Sequence, residues 1–548
     1  MSAERAILFS VQAAISAVQD ESSVRNRNCV SVPTFWDGAV AAGVALVLIA
    51  CAGSASAQTS AIQVDRARAG IPLGSSMTIN VSGSIGPLSV QPSFDGVDSS
   101  YDPLTHRLLL TGRALGSGTV TLTDRTGSTT SIAVLVALPA GTIPTDVDVS
   151  LAGTVTQSFV AAHVRDAIER ALVRQPGTGL DVHGVTIPAT LAPGDRLEAQ
   201  AGISIDGRGT YVDVSGRTNL HVHVDPVGSL DPAVLFYSDD PEYVSATLSG
   251  VLIHGTIDVA APIRIFAYHV ADGAPRRMSL VLRAAVPSHV QMLGTISGAS
   301  PAFAYIGQQS SARFLAARAS GQSAIVAIPA NLPYEVPFGL MQPGDLIEAI
   351  EDLRVIDGGP VDVALVTSPG ATPLPPFDGP ELTGDSHRRR GVYALTSVAP
   401  LDLTFAGGTP EPVPVSVGDG TLLNERADGR SLGGDYGVVR PLALHLANPA
   451  QTPLNVYLYE LTSGAGGATA TLWFTGDASA TLIPCIDDST QPHLIKAFAL
   501  AAGETRTVTG AFMTDGAASY PIRFGLSAMA PLPVAPGSCA PTPPSREP

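Results

Sequence analysis

Apolar and polar residues alternate at period two along most of this chain. Thr119, Thr121 and Thr123 interleave with Val120 and Leu122, and after the polar stretch from Asp124 to Thr130 the pattern resumes with Ile132, Val134 and Val136. Alternation of this kind buries one face of a strand and wets the other. It predicts a hairpin, with Gly116, Gly118 and Gly127 where tight turns need them. Similar paired runs recur. Residues 263–270 and 277–282 flank Ala271-Asp272-Gly273-Ala274, and residues 352–356 and 361–366 flank Asp357-Gly358-Gly359-Pro360. Leu442, Leu444 and Leu446 are followed, after Ala447-Asn448-Pro449-Ala450, by Leu454, Val456 and Leu458. Each pair reads as a hairpin or a strand turning back on its neighbour.

One stretch follows the other period. Val160, Val164, Ile168 and Leu172 recur every four residues, with Ala161 and Ala171 beside them, so residues 158–174 are predicted helical. Ser158 is placed to cap this helix and Pro176-Gly177 to end it. A shorter helix is expected over 311–318. The fold class that follows is mainly β: tandem Ig-like β-sandwich domains with one small α+β unit. The expected organisation is a leader and secretory signal (1–57), an Ig-like β module (58–142), a small α+β domain (143–225), a β-sandwich (226–368), a Pro-rich extended linker (369–387), a second β-sandwich (388–530) and a Pro-rich tail (531–548). The two sandwiches share an echo. An eight-residue step joins apolar runs in each, from Leu282 to Val290 and from Leu446 to Leu454, and an arginine (Arg276, Arg440) precedes each first run by two positions. Related domains and coincidence between alternating segments both account for it.

Gly116-x-Gly118-Thr-Val-Thr-Leu-Thr-Asp124-x-x-Gly127, followed by Ile-x-Val-x-Val, resembles the last hairpin of bacterial Ig-like modules. It is also similar to the N-terminal module of pilus-assembly and secretin-type proteins, whose first strand the segment Gly74-Ser-Ser-Met-Thr-Ile-Asn-Val fits. The resemblance covers residues 70–137 or so of 548. It implies a β-sandwich outside the cytoplasm and supplies no catalytic residue.

Composition adds a destination. Residues 38–53 lack any charged or hydroxyl side chain and suit the apolar core of a secretory signal. Ala55-Ser56-Ala57 offers cleavage before Gln58; Leu48-Ile49-Ala50-Cys51 resembles a lipobox that would lipidate Cys51; an uncleaved anchor is the third reading. The 37 residues before this core are unusually many, which a misassigned start or an extended leader explains. A net charge of −17 argues against nucleic acid as a partner. The expected partner is an unidentified envelope or surface component, with membrane contact only through the leader or a lipid on Cys51. The expected location is secreted, periplasmic or cell-surface.

Candidate chemistry is sparse. His221, His223 and Asp225 share one strand face at spacings of about 6–7 Å and form a conceivable zinc or iron ligand set. The favoured reading is simpler: Leu220, Val222 and Val224 form the buried face and these three the wet face of an ordinary strand. Gly384-Asp385-Ser386 resembles the nucleophile motif of GDS-type esterases but follows a proline-rich stretch, without the D-x-x-H those enzymes carry. Asp239-Asp240-Pro241-Glu242 reads as a solvated acidic turn, with calcium binding as the alternative. The single lysine, Lys496, and the absence of a phosphate-binding loop leave no cofactor to expect. Trp473, the one tryptophan beyond the leader, reads as a core residue rather than part of a glycan platform. The expected function is a non-enzymatic envelope scaffold or binding protein. The alternatives are an accessory of pilus or secretion assembly and a secreted hydrolase with an inter-domain site.

Cys485 and Cys539 are the two cysteines beyond the leader, and in an oxidising compartment they are expected to pair. Closing that loop stabilises the last domain by roughly 3–4 kcal/mol in the chain-entropy description. The denatured, unreduced mature protein should therefore show no free thiol to Ellman's reagent; finding two would remove the bridge.

Overall fold

The computed structural model describes residues 61–259, 261–370, 374–385, 389–407, 413–425, 429–462, 467–486, 491–531 and 533. The leader, Cys51, Cys539, Ser386 and His387 lie outside them. The architecture is mainly β, with two α-helices among the described residues. In residues 61–137 two four-stranded sheets face each other. One runs Gln63–Val64, Ser76–Ser82, Arg107–Gly112, Val97–Asp102, and the other Arg68–Pro72, Thr129–Ala137, Gly116–Thr123, Ser89–Pro92. Ile71, Ile79, Leu108, Leu110, Val120, Leu122, Ile132 and Val134 fill the space between them. The expected hairpin is present, with Thr123 opposite Thr129. Its turn is organised by Asp124, whose Oδ1 accepts from Thr126 N (2.8 Å) and Ser128 N (3.1 Å), and whose Oδ2 accepts from Ile85 N (3.1 Å). Gly127 takes a φ of +82°, a region that favours glycine.

The first helix, α1 (Gln157–Ala171), buries Val160, Val164 and Ile168 as the four-residue recurrence requires. Its cap is Thr156, not Ser158: Thr156 has extended backbone and its hydroxyl accepts from Phe159 N at 3.4 Å. The helix stops short of Arg174 because Val173–Arg174 is drawn into antiparallel pairing with Gly141–Thr142. Beneath α1, strand Asp146–Ala152 pairs parallel with Val214–Asp225 and antiparallel with Ser323–Ile328. The sheet of the α+β unit therefore runs without a break into the following domain. Its ten-strand path is Gly179–His183, Arg196–Asp206, Val214–Asp225, Asp146–Ala152, Ser323–Ile328, Ser288–Ser300, Leu346–Asp357, Ile263–Ala271, Val234–Ser238, Arg390–Ala394, with Tyr243–Val244 attached beside Ile263–Ala271.

A second sheet (Gly250–Ile257, Val361–Pro369, Arg276–Ala284, Tyr334–Met341) packs on one face of this long sheet, burying among others Leu280, Leu282, Ile347, Leu353 and Val363. Here the hairpin expectations fail. Ile263–Ala271 belongs to the long sheet and Arg276–Ala284 to its partner; Leu346–Asp357 and Val361–Pro369 are divided in the same way. In the last domain Val439–Ala447 and Leu454–Thr462 also lie in opposite sheets. These connections are arches across a core. Alternation cannot distinguish an arch from a hairpin, because both present apolar faces to the same interior. The eight-residue echo from Leu282 to Val290 and from Leu446 to Leu454 falls on two such arches.

The last sandwich faces a sheet of Leu401–Phe405, Val439–Ala447, Thr505–Thr514, Ala468–Phe474 and Thr481–Ile486 against Val415–Val417, Ile522–Ser527, Leu454–Thr462 and His493–Leu500. The second helix, α2 (Phe303–Ser320), is much longer than the expected 311–318. It lies between the uncovered face of the long sheet and the last sandwich, with buried residues on more than one side, including Ile306, Gly307, Ser310, Ser311 and Phe314. A helix enclosed in this way shows no clean apolar stripe. Nor do residues 374–385 behave as a free linker. Leu374 and Phe377 pack on Val251, Val281 and Val366, Leu382 N donates to Val251 O (2.8 Å), and Arg283 lies 4.5 Å over the Phe377 ring. Proline keeps the segment extended, while its apolar side chains tie it down.

Around α2 the two sandwiches share one core, which includes Tyr237, Phe266, Phe314, Ile350, Val438 and Met513. An ionic triad sits inside it. Arg264 Nε and Nη2 donate to Asp352 Oδ1 (2.7 Å) and Oδ2 (3.0 Å), and Arg318 Nη1 from α2 donates to Asp352 Oδ2 (2.7 Å). Arg264 Nη1 reaches across to Gly437 O (2.9 Å), and its guanidinium lies over the Phe314 ring. Asp352→Asn should cost about 3–5 kcal/mol, because it leaves a buried guanidinium uncompensated. Urea denaturation measures this, and a loss below about 1 kcal/mol would mean that the triad is not desolvated as the geometry requires.

Candidate functional site

The strand bearing His221, His223 and Asp225 follows the expected alternation. Leu220, Val222 and Val224 pack with α1, and the other three face outward, half-buried. The His221 ring, however, is engaged by neighbouring strands. Nδ1 contacts Glu198 and Nε2 lies 3.5 Å from Asp146 Oδ1. The bond to Glu198 is the main cause that raises the His221 pKa. His223 lies opposite Arg196 and Ser150, and Asp225 opposite Ala152. Among the described residues no three His, Cys, Asp or Glu side chains are placed to hold a metal ion. Cys485 lies in the edge strand Thr481–Ile486.

The acidic turn after strand Val234–Ser238 departs from expectation. Asp239, Asp240 and Glu242 are buried, not solvated. Gly384 and Asp385, with Arg389 and Arg390, cover them. Asp385 N donates to Asp240 Oδ1 (2.5 Å), and Asp385 Oδ2 accepts from Glu242 N (3.0 Å). A Cβ on Gly384 would come within 2.1 Å of Asp240 Oδ2, so only glycine allows the roof this close. The Asp385 of the esterase-like motif thus holds backbone. Arg389 Nη1 and Tyr237 Oη both donate to Asp239 Oδ2, at 3.5 and 3.2 Å. Burial nonetheless pushes the Asp239 carboxyl well above the usual range, with the Glu242 charge adding to the shift.

Beside this turn Ser238 and His269 form a dyad that the sequence did not suggest. Ser238 Oγ lies 3.0 Å from His269 Nε2, and His269 Nδ1 lies 2.9 Å from Pro241 O. The carbonyl can only accept, so Nδ1 carries the proton and Nε2 accepts from the serine. Burial holds the His269 pKa at about 4, which keeps the ring neutral. The arrangement polarises a hydroxyl, but both side chains are wholly enclosed. In this conformation the dyad stitches two strands together.

A second polar group spans the joint between the sandwiches. Glu348 projects from Leu346–Asp357 beside Tyr268, and Asp515 follows strand Thr505–Thr514 of the last domain. Asp515 Oδ1 accepts from Thr471 Oγ1 (2.8 Å), whereas neither oxygen of Glu348 has a hydrogen-bond partner. Burial pushes Glu348 well above its ordinary value, with Asp515 and Asp239 adding to the shift. Burial also takes Asp515 to about 6 against the pull of Thr471, Ser311 and Thr469. Tyr268, Tyr436 and Tyr520 complete the surroundings, all raised, chiefly by burial. The available signal for such residues is a charge inside an apolar run, as in Leu346-Ile-Glu348-Ala-Ile-Glu351-Asp352-Leu353.

No family model matches this chain, and no curated protein does. Among solved structures it is similar to a tri-modular GH5 (subfamily 4) endo-beta-1,4-glucanase from Bacillus licheniformis at 8% identity and a TM-score of 0.14, covering 29% of this chain and 38% of that one. Tripeptidyl peptidase 2 gives 13% identity and a TM-score of 0.14, covering 86% of this chain and 34% of that one. SGBP-B of the Bacteroides ovatus mixed-linkage glucan utilization locus gives 12% identity and a TM-score of 0.12, covering 54% of this chain and 70% of that one. The chain thus spans little more than a third of the first two proteins. Scores this low carry no argument about function.

Two further buried acids make stability depend on pH. Burial takes Glu351 and Glu460 to about 8, well above the ordinary 4.5. The folded state then holds protons that the unfolded chain releases. The stability this confers is complete below the unfolded pKa and is lost as pH rises toward 8. Each group contributes a slope of at most about 1.4 kcal/mol per pH unit over that window. Urea midpoints should fall between about pH 5 and about pH 8, and Glu351→Gln with Glu460→Gln should make that fall shallower. A midpoint that rises with pH in this window would contradict the assignment.

Proposed function

We propose that this chain is a non-enzymatic, extracytoplasmic scaffold or binding protein of the cell envelope or surface. One observation carries the reading: its buried polar chemistry is used to hold strands, loops and domains together. The Arg264–Asp352–Arg318 triad, the Ser238–His269 dyad and the roofed Asp239–Glu242 turn all hold elements together. A sheet continuous across the α+β unit and the next sandwich suits a spacer better than an enzyme hinged at that boundary. The signal-like segment at 38–57 supports export.

A secreted hydrolase with an inter-domain site is the second reading. The acids gathered at the joint favour it, but it requires that joint to open. Fractionation of cells expressing the chain with its own leader tests the main proposal. Processed protein is expected in the periplasm, envelope or medium, co-purifying with an envelope component; full-length protein confined to the cytosol would overturn it. Turnover of an esterase, peptide or glycan substrate by the exported protein, lost in Ser238→Ala or Glu348→Gln, would replace it with the hydrolase.

A further inference from the structure

The least satisfied polar side chain at the joint is Glu348. It is fully buried and both its carboxyl oxygens lack a partner, which an ionised carboxylate does not tolerate. It also lies at the closest approach of three elements. A Cβ on Gly516 of the last sandwich would fall 2.0 Å from Glu348 Oε2, and a Cβ on Gly307 of α2 would fall 2.0 Å from Gly516 O. The residue bonded to Gly516 is Asp515, also fully buried, with Oδ1 held by Thr471 and Oδ2 without a hydrogen-bond partner. Two buried carboxyls from two domains therefore lie at one seam.

We propose that this seam is a proton-operated latch: the sandwich built on the long sheet and the last sandwich stay closed on each other while Glu348 and Asp515 are protonated, and the contact around α2 loosens once both carry charge.

The surroundings fit that device. Tyr268 from Ile263–Ala271 lies against Gly516, and Asp239, Glu242 and Tyr436 add further acidic groups. Tyr520 and Glu460 face Asp515 from the last sandwich. From α2 come the small hydroxyls of Ser310 and Ser311. Among the described residues the cation acting on these acids is Arg389, which is half-exposed and drawn to Asp239. Asp515, held by the Thr471 hydroxyl, is the first of the pair to ionise; Glu348, with no donor, is the second. Charge on both then meets repulsion in a medium that screens it poorly. The joint is thus closed in acid and opens on the alkaline side.

Trp473 packs at this joint and reports on it. The test uses the full chain with Trp36→Phe, so that Trp473 alone emits, titrated from about pH 5 to about pH 9.5 with far-UV circular dichroism recorded alongside. The latch requires a reversible red shift of Trp473 emission while the β signal is unchanged. Glu348→Gln should abolish the shift or move its midpoint up by about one pH unit or more, and Asp515→Asn should act in the same direction. Gly516→Ala, which wedges the seam without adding charge, should give the red-shifted emission already at acid pH. Constant emission across the range would overturn the proposal. So would a wild-type midpoint in Glu348→Gln, or loss of the shift in Glu460→Gln with Glu348→Gln unaffected.

Discussion

The arrangement of this molecule depends on one desolvated ionic contact. Asp352 accepts from two arginines, one on its own sheet and one on α2, and the first of these also grips a carbonyl of the last sandwich. The Coulombic gain of such a contact is largely offset by the cost of removing three charges from water, so its net stabilisation is small. Its value is geometric. An uncompensated charge at that depth is so unfavourable that few orientations of helix, sheet and sandwich are tolerated. The apolar core around it supplies adhesion, which by itself is non-directional.

The same division of labour recurs along the chain. Arg276 lies fully buried and donates to the carbonyls of Ser245, Ala246 and Leu248, closing a loop against its sheet. Arg440 pairs with buried Asp435 at the corresponding point of the last sandwich. These are the two arginines of the sequence echo. Each satisfies acceptors at the mouth of a core, which any sandwich with irregular loops must do.

Much of the fold was legible in the chain, and the failures share a cause. Strand faces, the buried stripe of α1 and the Asp124 turn follow from local pattern, because backbone geometry fixes which side chains share a face. What local pattern does not encode is the partner. Alternation around Ala271-Asp272-Gly273 or Asp357-Gly358-Gly359 specifies an interior without saying whether the chain pairs beside itself or crosses over. The extent of α2 was obscured because it is enclosed by two domains. The acidic turn looked solvated because its roof is contributed by residues almost 150 positions later. The His221 face was correctly outward, but its ring finds acids on strands that no spacing rule connects. Glu348 and Asp515 carry no motif at all; only their depth, and their approach across a joint, marks them.

The strand Arg390–Ala394 has an implication of another kind. It completes the edge of the long sheet against Val234–Ser238, although the chain that follows it builds the last sandwich. During synthesis or export, which deliver the polypeptide from its N-terminus, the middle of the protein must wait for a piece that emerges more than 150 residues after the strand it covers. Until then that strand has open donors and acceptors on one side, a template for any extended chain nearby.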